Sequence, residues 1–512
     1  MSEPAVGGGA DVVAWPRTSG VLLHVTSLSG GCGCGDLGPS ATAFASFLKN
    51  AGQTWWQTLP ISPPGKGFSP YAARSSFAGG EHLISLELLT HDGFLRQNEI
   101  EPIQTEPHQG VNEQALHIKR SLVQLAASRF HDKAPAHTID QFSVFCDKNA
   151  LWLDDWALYQ AITHTQGNAD WTRWPKAIRL RQPEALRDAT SALQKQIERE
   201  RLIQFFFHLQ WRDLRAHGAN AGVRLMGDVP FYPALFSADV WANQSLFDLG
   251  ADGRPTAVAG VPPDYFSPTG QIWESPLYRW PEHERTSFDW WSARLARAGE
   301  LFDAVRLDHF LGLHRAWRVP AEAPTAEHGA WTPAPGKALL QTVSQRSPTL
   351  RLVAEDLGVI TPEAITLRDE AHLPSMRVLQ LAFDGRPDNP NLPANHVENG
   401  VVYTGTHDNN TTRGWIESLH KTADTRAALR QACAVLGADE SALLDSMIEA
   451  AQTSPAHTSI IPVQDWLGLG AEARMNTPGV ADGNWRWRLN ADVDLESYSD
   501  RMRQSARRSQ RR

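Results

Sequence analysis

An α/β chain closing as a TIM-type (β/α)8 barrel, with large and mostly helical insertions on its C-terminal face, is the fold this sequence predicts. Three observations carry that expectation. Eight short apolar runs end in polar residues, helical periodicity lies between several of them, and the surplus length is concentrated after a few of the runs. Parallel strands buried on both faces read as nearly continuous apolar runs rather than as an alternation. Strand and helix repeated to eight favour a closed barrel over an open sheet.

The runs fall at residues 21–24, 55–59, 223–228, 304–308, 351–355, 377–383, 401–406 and 459–462. Residues 40–51 and 184–217 have helical patterns. In the second, Leu202, Phe205, Phe206, Leu209 and Leu214 share one face, the spacing of a buried helix stripe. The spacing of the strands is uneven, which places insertions at about 65–200, 241–302 and 311–350, the 65–183 portion mostly helical. Excess length after a barrel strand falls on the C-terminal face, where such barrels build their sites. Residues 19–490 are therefore expected to form one barrel domain, after a flexible stretch at 1–18. The segment 491–512 is a basic tail, half arginine from Arg501 onward, and is expected to be solvated.

The chain has 512 residues, 42% hydrophobic and 21% charged, an ordinary globular composition. A formal charge of −9 argues against a nucleic-acid partner, which calls for a basic field. Residues 1–20 lack the pattern of a secretory signal, and no apolar stretch reaches the roughly 18 residues of a membrane span. Neither membrane nor export is expected. Cys32 and Cys34 lie close together, while Cys146 and Cys433 are isolated; this is neither a zinc pattern nor a disulfide framework. A reducing cytoplasm follows as the expected location. The chain holds 19 Trp beside 7 Tyr. Trp suits core filling and stacking on sugar rings alike, and core filling is the expectation for most of them, including Trp55–Trp56, Trp290–Trp291 and Trp485–Trp487.

The acids are the informative residues. Asp228, Asp308, Glu355 and Asp408 each stand at or just past the polar end of an apolar run: RLMGD, AVRLD, RLVAE and VVYTGTHD. In a barrel those ends meet at one mouth, and a cluster of acids there is costly unless paired or used. Two carboxyls about 5–5.5 Å apart across a glycosidic bond perform retaining sugar chemistry, one as nucleophile and the other as proton donor and then base. Arg306, two residues before Asp308, points to the same side of a strand and favours an ionised Asp308. Glu355 has no arginine so near in sequence and is the better candidate for the carboxyl that stays protonated.

These strand ends also resemble a known family. AVRLDHF (304–310), VAEDLGVITP (353–362) and VVYTGTHDNNTTRGW (401–415) look like the catalytic strand motifs of the amylomaltase and disproportionating-enzyme family, the 4-α-glucanotransferases of glycoside hydrolase family 77. That family is related to the α-amylase barrels. SGVLLHVTSLSGGCGCGDLGP (19–39), WWQTLPISPPGKGFSPY (55–71), GDVPFYPALFSADVW (227–241), GVPPDYFSPTGQIW (260–273) and PVQDWLGLGAEARMNTPG (462–479) are similar as well, so the likeness runs from about Ser19 to Leu489.

The resemblance implies Asp308 as nucleophile, Glu355 as general acid and base, and Asp408 as the third carboxylate, holding ring hydroxyls of the distorted sugar. It implies Arg306 and His407 as partners of the nucleophile and of that sugar, Tyr71 as the aromatic beneath the ring, and Asp228 as a further acid on the third strand. Tyr265, Phe266 and Trp273 fall on a loop that overhangs the cleft and lines acceptor subsites. The family uses no metal or organic cofactor and has no C-terminal β-domain. Its donors are maltooligosaccharides or α-1,4-glucans, and its acceptors are glucose or maltooligosaccharides. The sequence departs from the pattern at Glu274-Ser275 for Gly-Asn, Leu311 for Arg, Asn410 for Asp and Gly80 for Asn. Three functions stay open on the residues alone: transfer to a sugar hydroxyl, hydrolysis with water as acceptor, and an inactive glycan-binding scaffold. A loop-covered aromatic cleft favours the first, and intact acids disfavour the last. Oligomeric state is not legible in the sequence.

Overall fold

The computed structural model of the chain describes residues 16–104, 110–263 and 267–511. It contains twelve strands in two sheets: β1 Thr18–Leu22, β2 Trp55–Gln57, β3 Arg224–Val229, β4 Ala257–Val261, β5 Gln271–Pro276, β6 Ala304–Leu307, β7 Arg315–Pro320, β8 Ala330–Pro333, β9 Leu352–Ala354, β10 Ser375–Val378, β11 Gly400–Tyr403 and β12 Thr458–Pro462. Eight of them, in the order β10-β11-β12-β1-β2-β3-β6-β9, form one all-parallel sheet. These are the eight expected runs. The two end strands meet through Ala354 N–H donating to Pro374 O at 3.0 Å, which draws the sheet round into a nearly closed barrel.

The continuous apolar character of the runs has a physical origin in two cores, one on each side of the sheet. Leu22, Trp55, Met226, Ala304, Val353, Met376, Val401, Tyr403 and Ile460 pack together inside the barrel. Their sequence neighbours Val21, Trp56, Leu225, Val305, Leu352, Val402 and Ile461 pack outward against the helices. The strands thus have no wetted face. Gly227 in β3 is required by the outer packing, since a Cβ there would lie 2.2 Å from the ring of Phe302.

The insertion after β2 is helical, with Glu113–Ser128 and Ala136–Gln166 as its long members. The expected helix at 184–217 is two helices, Pro183–Ala192 and Gln194–Ala221, because Leu193 between them departs from helical geometry. The two later insertions hold something the sequence did not announce. β4 and β5 from one, with β7 and β8 from the other, join in an antiparallel sheet of order β5-β4-β7-β8. β5, β7 and β8 are short and largely half-exposed, and the buried apolar β4 is a single five-residue run inside an insertion.

The basic tail also differs from expectation. Glu496–Arg508 is a helix packed on the helices Pro39–Asn50 and Leu443–Thr453. Ser499, Met502, Ser505 and Ala506 form its buried stripe, too small and too polar to stand out among the arginines. Of the 1–18 stretch, residues 1–15 lie outside the described residues.

Candidate active site

The barrel register brings the acids together. In β3 and β6, Asp228 lies opposite Arg306. In β6 and β9, Leu307 pairs with Ala354, so the next residues, Asp308 and Glu355, leave neighbouring strand ends side by side. Adjacent strands are about 4.8 Å apart. Glu355 N–H donates to Leu307 O at 3.0 Å and Phe310 N–H to Glu355 O at 3.1 Å, which fixes this juncture through the backbone.

Arg306 is the buried hub. Its Nε and Nη2 hold Asp228 Oδ2 at 2.9 and 2.7 Å; Nη2 also reaches Asp308 Oδ1 at 2.8 Å and Tyr71 Oη at 3.2 Å. Tyr71 O–H donates to the same Asp228 oxygen at 2.7 Å. Burial, then the charge of Asp228, push the Tyr71 hydroxyl well above its usual range, so it stays a donor. Asp228 Oδ1 is buried with no side-chain or backbone partner among the described residues.

Glu355 is held by backbone amides. His309 N–H donates to Oε2 at 2.7 Å and Leu357 N–H to Oε1 at 3.3 Å. His309 reaches it from left-handed backbone, φ 50°, that turns its amide toward the carboxyl. Burial, followed by the charge of Asp308, nevertheless pushes Glu355 up to about 8. Arg306 acts on Asp308 in the expected direction, favouring the charged form, but burial outweighs it, and Asp408 adds to the upward shift. The arginine is shared with Asp228, and a shared cation cannot fully offset the desolvation of either acid. Glu355, lifted to about 8, keeps its proton at neutral pH. The guanidinium contact favours the ionised form of Asp308.

Asp408 keeps 45% of its side chain exposed to the mouth. Asn476 Nδ2 donates to its Oδ1 at 2.6 Å, His407 Nε2 lies 3.3 Å from Oδ2, and Arg474 holds its backbone oxygen at 2.8 Å. The His407 ring stacks on Tyr71, centroids 5.0 Å apart and planes 12° off parallel. Burial lowers its pKa, so the imidazole is neutral. Trp273 stands edge-to-face on His309 at 4.7 Å, one residue from Asp308. Asp228, Arg306, Asp308, Glu355, Tyr71, His407, Asp408 and Trp273 thus gather at one mouth. Tyr265 and Phe266 lie outside the described residues. Asn476, Arg474 and the amide of His309 were missed by sequence reasoning. Asn476 and Arg474 lie in the 462–479 motif, which was recognised only as a block because no acid at a strand end draws attention to it.

A (β/α)8 barrel with carboxyls, one arginine and aromatic walls at the C-terminal ends of its strands belongs to the class of carbohydrate-active barrel enzymes. The comparisons with known proteins narrow that class. Residues 23–494 match the family described as 4-alpha-glucanotransferase. The 4-alpha-glucanotransferase of Thermus thermophilus is 43% identical over 502 residues, covering 97% of this chain and 99% of the relative. The chloroplastic/amyloplastic 4-alpha-glucanotransferase of Solanum tuberosum is 41% identical, covering 94% of this chain and 84% of the relative. Among solved structures, the amylomaltase of Streptococcus agalactiae in complex with acarbose superposes with a TM-score of 0.91 at 33% identity, over 97% of this chain and 99% of that one. The chain belongs to the 4-alpha-glucanotransferase family, glycoside hydrolase family 77.

Proposed function

We propose that the chain moves α-1,4-glucan segments from a maltooligosaccharide or α-1,4-glucan donor to the 4-hydroxyl of glucose or a maltooligosaccharide, by two displacements at one anomeric carbon. The observation that carries the reading is the placement of Asp308 and Glu355 on neighbouring strand ends, with burial and Asp308 pushing Glu355 up to about 8. Side chains that leave adjacent strands suit the short separation of a retaining pair better than the roughly 6.5–9.5 Å of an inverting one.

In the first step Glu355 gives its proton to the glycosidic oxygen as the C1–O bond breaks, and Asp308 Oδ attacks C1 from the opposite face. The leaving chain departs as an alcohol and a β-glucosyl ester remains. In the second step the acceptor 4-hydroxyl attacks C1, its proton returns to Glu355, and Asp308 leaves as carboxylate. No proton is gained or lost over the cycle. Arg306 holds Asp308 in line, Asp228 and Tyr71 hold Arg306, and Asp408 with His407 takes the hydroxyls of the reacting ring. Trp273, which lies on β5 rather than on a loop, offers an aromatic wall for the acceptor. Four free thiols suit a reducing compartment such as the cytoplasm, and among the described residues no helix is long and apolar enough to cross a membrane.

Maltotriose as sole substrate tests the reading. Glucose together with a ladder of longer maltodextrins is the expected product set. A rise in reducing ends with no ladder would make the enzyme a hydrolase, and no conversion at all would leave only a scaffold.

A further inference from the structure

The barrel ladder ends at β9 on one side and β10 on the other, so the strand that delivers Glu355 is also the one at the seam. Backbone pairing there is thin: Ala354 N–H to Pro374 O is the bond that crosses. One residue past Glu355, the side chain of Asp356 continues where the ladder stops. It is buried, and its Oδ1 accepts from Met376 N–H of β10 at 2.7 Å, the role a strand carbonyl would play. Its Oδ2 takes Arg368, from the helix Pro362–Glu370, and Arg377 of β10 at 3.3 Å. Beyond it the chain leaves the barrel through Gly358, in left-handed backbone, and the exposed Val359. Asp356 is therefore the residue that ties this segment across the seam, with Leu357 packed on the inner core just beyond it.

We propose that Asp356 is a positioning residue for the proton-transferring carboxyl: by stitching the open seam it fixes the backbone from which Glu355 projects. The inference rests on the reading of Glu355 as general acid and base. It requires the carboxylate charge as well as the shape. Two cations face Asp356, Arg368 (also paired with Asp369) and Arg377. Asp308 and Arg306 face Glu355 from β6, and Asp356 adds a negative neighbour from its own segment. Removing that charge takes a negative neighbour from Glu355 and leaves Arg377 without its carboxylate partner, which favours the ionised form of Glu355.

The test is transfer from maltotriose by the full chain, followed from about pH 5 to pH 10, as wild type, Asp356→Asn, Asp356→Glu and Glu355→Gln. Asp356→Asn is expected to lower kcat roughly 10- to 100-fold, the scale of a small misplacement of a reacting group. KM should change little, and the alkaline limb should move to lower pH. Asp356→Glu keeps the charge and should keep the limb. A folded Asp356→Asn protein with wild-type kcat and limb overturns the proposal. Should that variant fail to fold, Arg368→Met carries the test: loss of a cation must move the limb to higher pH, and an unmoved limb overturns the proposal equally. Glu355→Gln separates the two readings. If it retains transfer and the same alkaline limb, the role given to Glu355 is wrong. If it is inactive while Asp356→Asn behaves as wild type, only the role of Asp356 falls.

Discussion

A carboxyl buried beside a second carboxyl gives up its proton late, and Glu355 meets both conditions, which lift it to about 8. In the free enzyme the alkaline limb of kcat/KM is therefore expected near that pH, as a property of the Asp308–Glu355 pair. The same shift bears on stability, with a definite sign. A folded-state value above the unfolded one, about 4.5, means that stability is fully present below the unfolded value and is lost as pH rises through the folded value. Glu355→Gln cannot ionise and escapes that loss. It should be inactive in transfer, match wild type in Tm near pH 5, and exceed it by roughly 2 °C or more near pH 9. Differential scanning calorimetry at the two pH values checks this. A mutant less stable at high pH would mean that Glu355 is not held neutral by its surroundings.

At the scale of the element, legibility followed burial. The eight barrel strands could be read because each is apolar on both faces, and Asp228, Asp308, Glu355 and Asp408 could be read because each interrupts such a run at its end. The β5-β4-β7-β8 sheet could not, since its strands pair across two separate insertions and all but β4 are half-wet. The departures from the family pattern gain local meaning here. At Gly80 an asparagine Cβ would lie 2.3 Å from the His82 ring, so glycine and His82 go together. Glu274 occupies left-handed backbone, φ 58°, where the family pattern places glycine. Its side chain reaches Lys66 at 3.5 Å, but the two are 73% and 84% exposed, and so open a pair contributes about 0–1 kcal/mol. Backbone strain of this kind costs on the order of 1 kcal/mol. Glu274→Ala, which loses the pair and keeps the strain, should thus be less stable than Glu274→Gly by about 1 kcal/mol. Urea unfolding of the two variants measures the difference, and equal midpoints would show that the strain is relaxed by the loop.

Across the whole molecule, chemistry and closure sit at opposite ends of the barrel. The acids occupy the mouth; the floor, where β1 and β12 begin, is held by the C-terminal segment. There Arg511 is buried and donates from Nε to Gln452 O at 2.6 Å, from Nη1 to Thr18 O and His457 O at 3.0 Å each, and from Nη2 to Ser454 O at 2.9 Å and Ala451 O at 3.5 Å. A fully bonded guanidinium thus ties the last helix to the first and last strands, and Arg17 adds bonds to Ser454 O and Ser509 O at 2.9 and 3.2 Å. Arg511→Ala leaves those carbonyls without their donor inside a dry floor, a loss of about 2–4 kcal/mol for bonds to a charged group. Because the floor is remote from Asp308 and Glu355, kcat per folded molecule should not change. Lysine, with three donors and no planar fork, should recover only part of the stability. Thermal unfolding alongside maltotriose turnover below the transition decides it. An Arg511→Ala protein with wild-type Tm would mean the C-terminal anchor is incidental, and one that unfolds early with unchanged turnover would mean the floor secures the fold while the mouth performs the reaction.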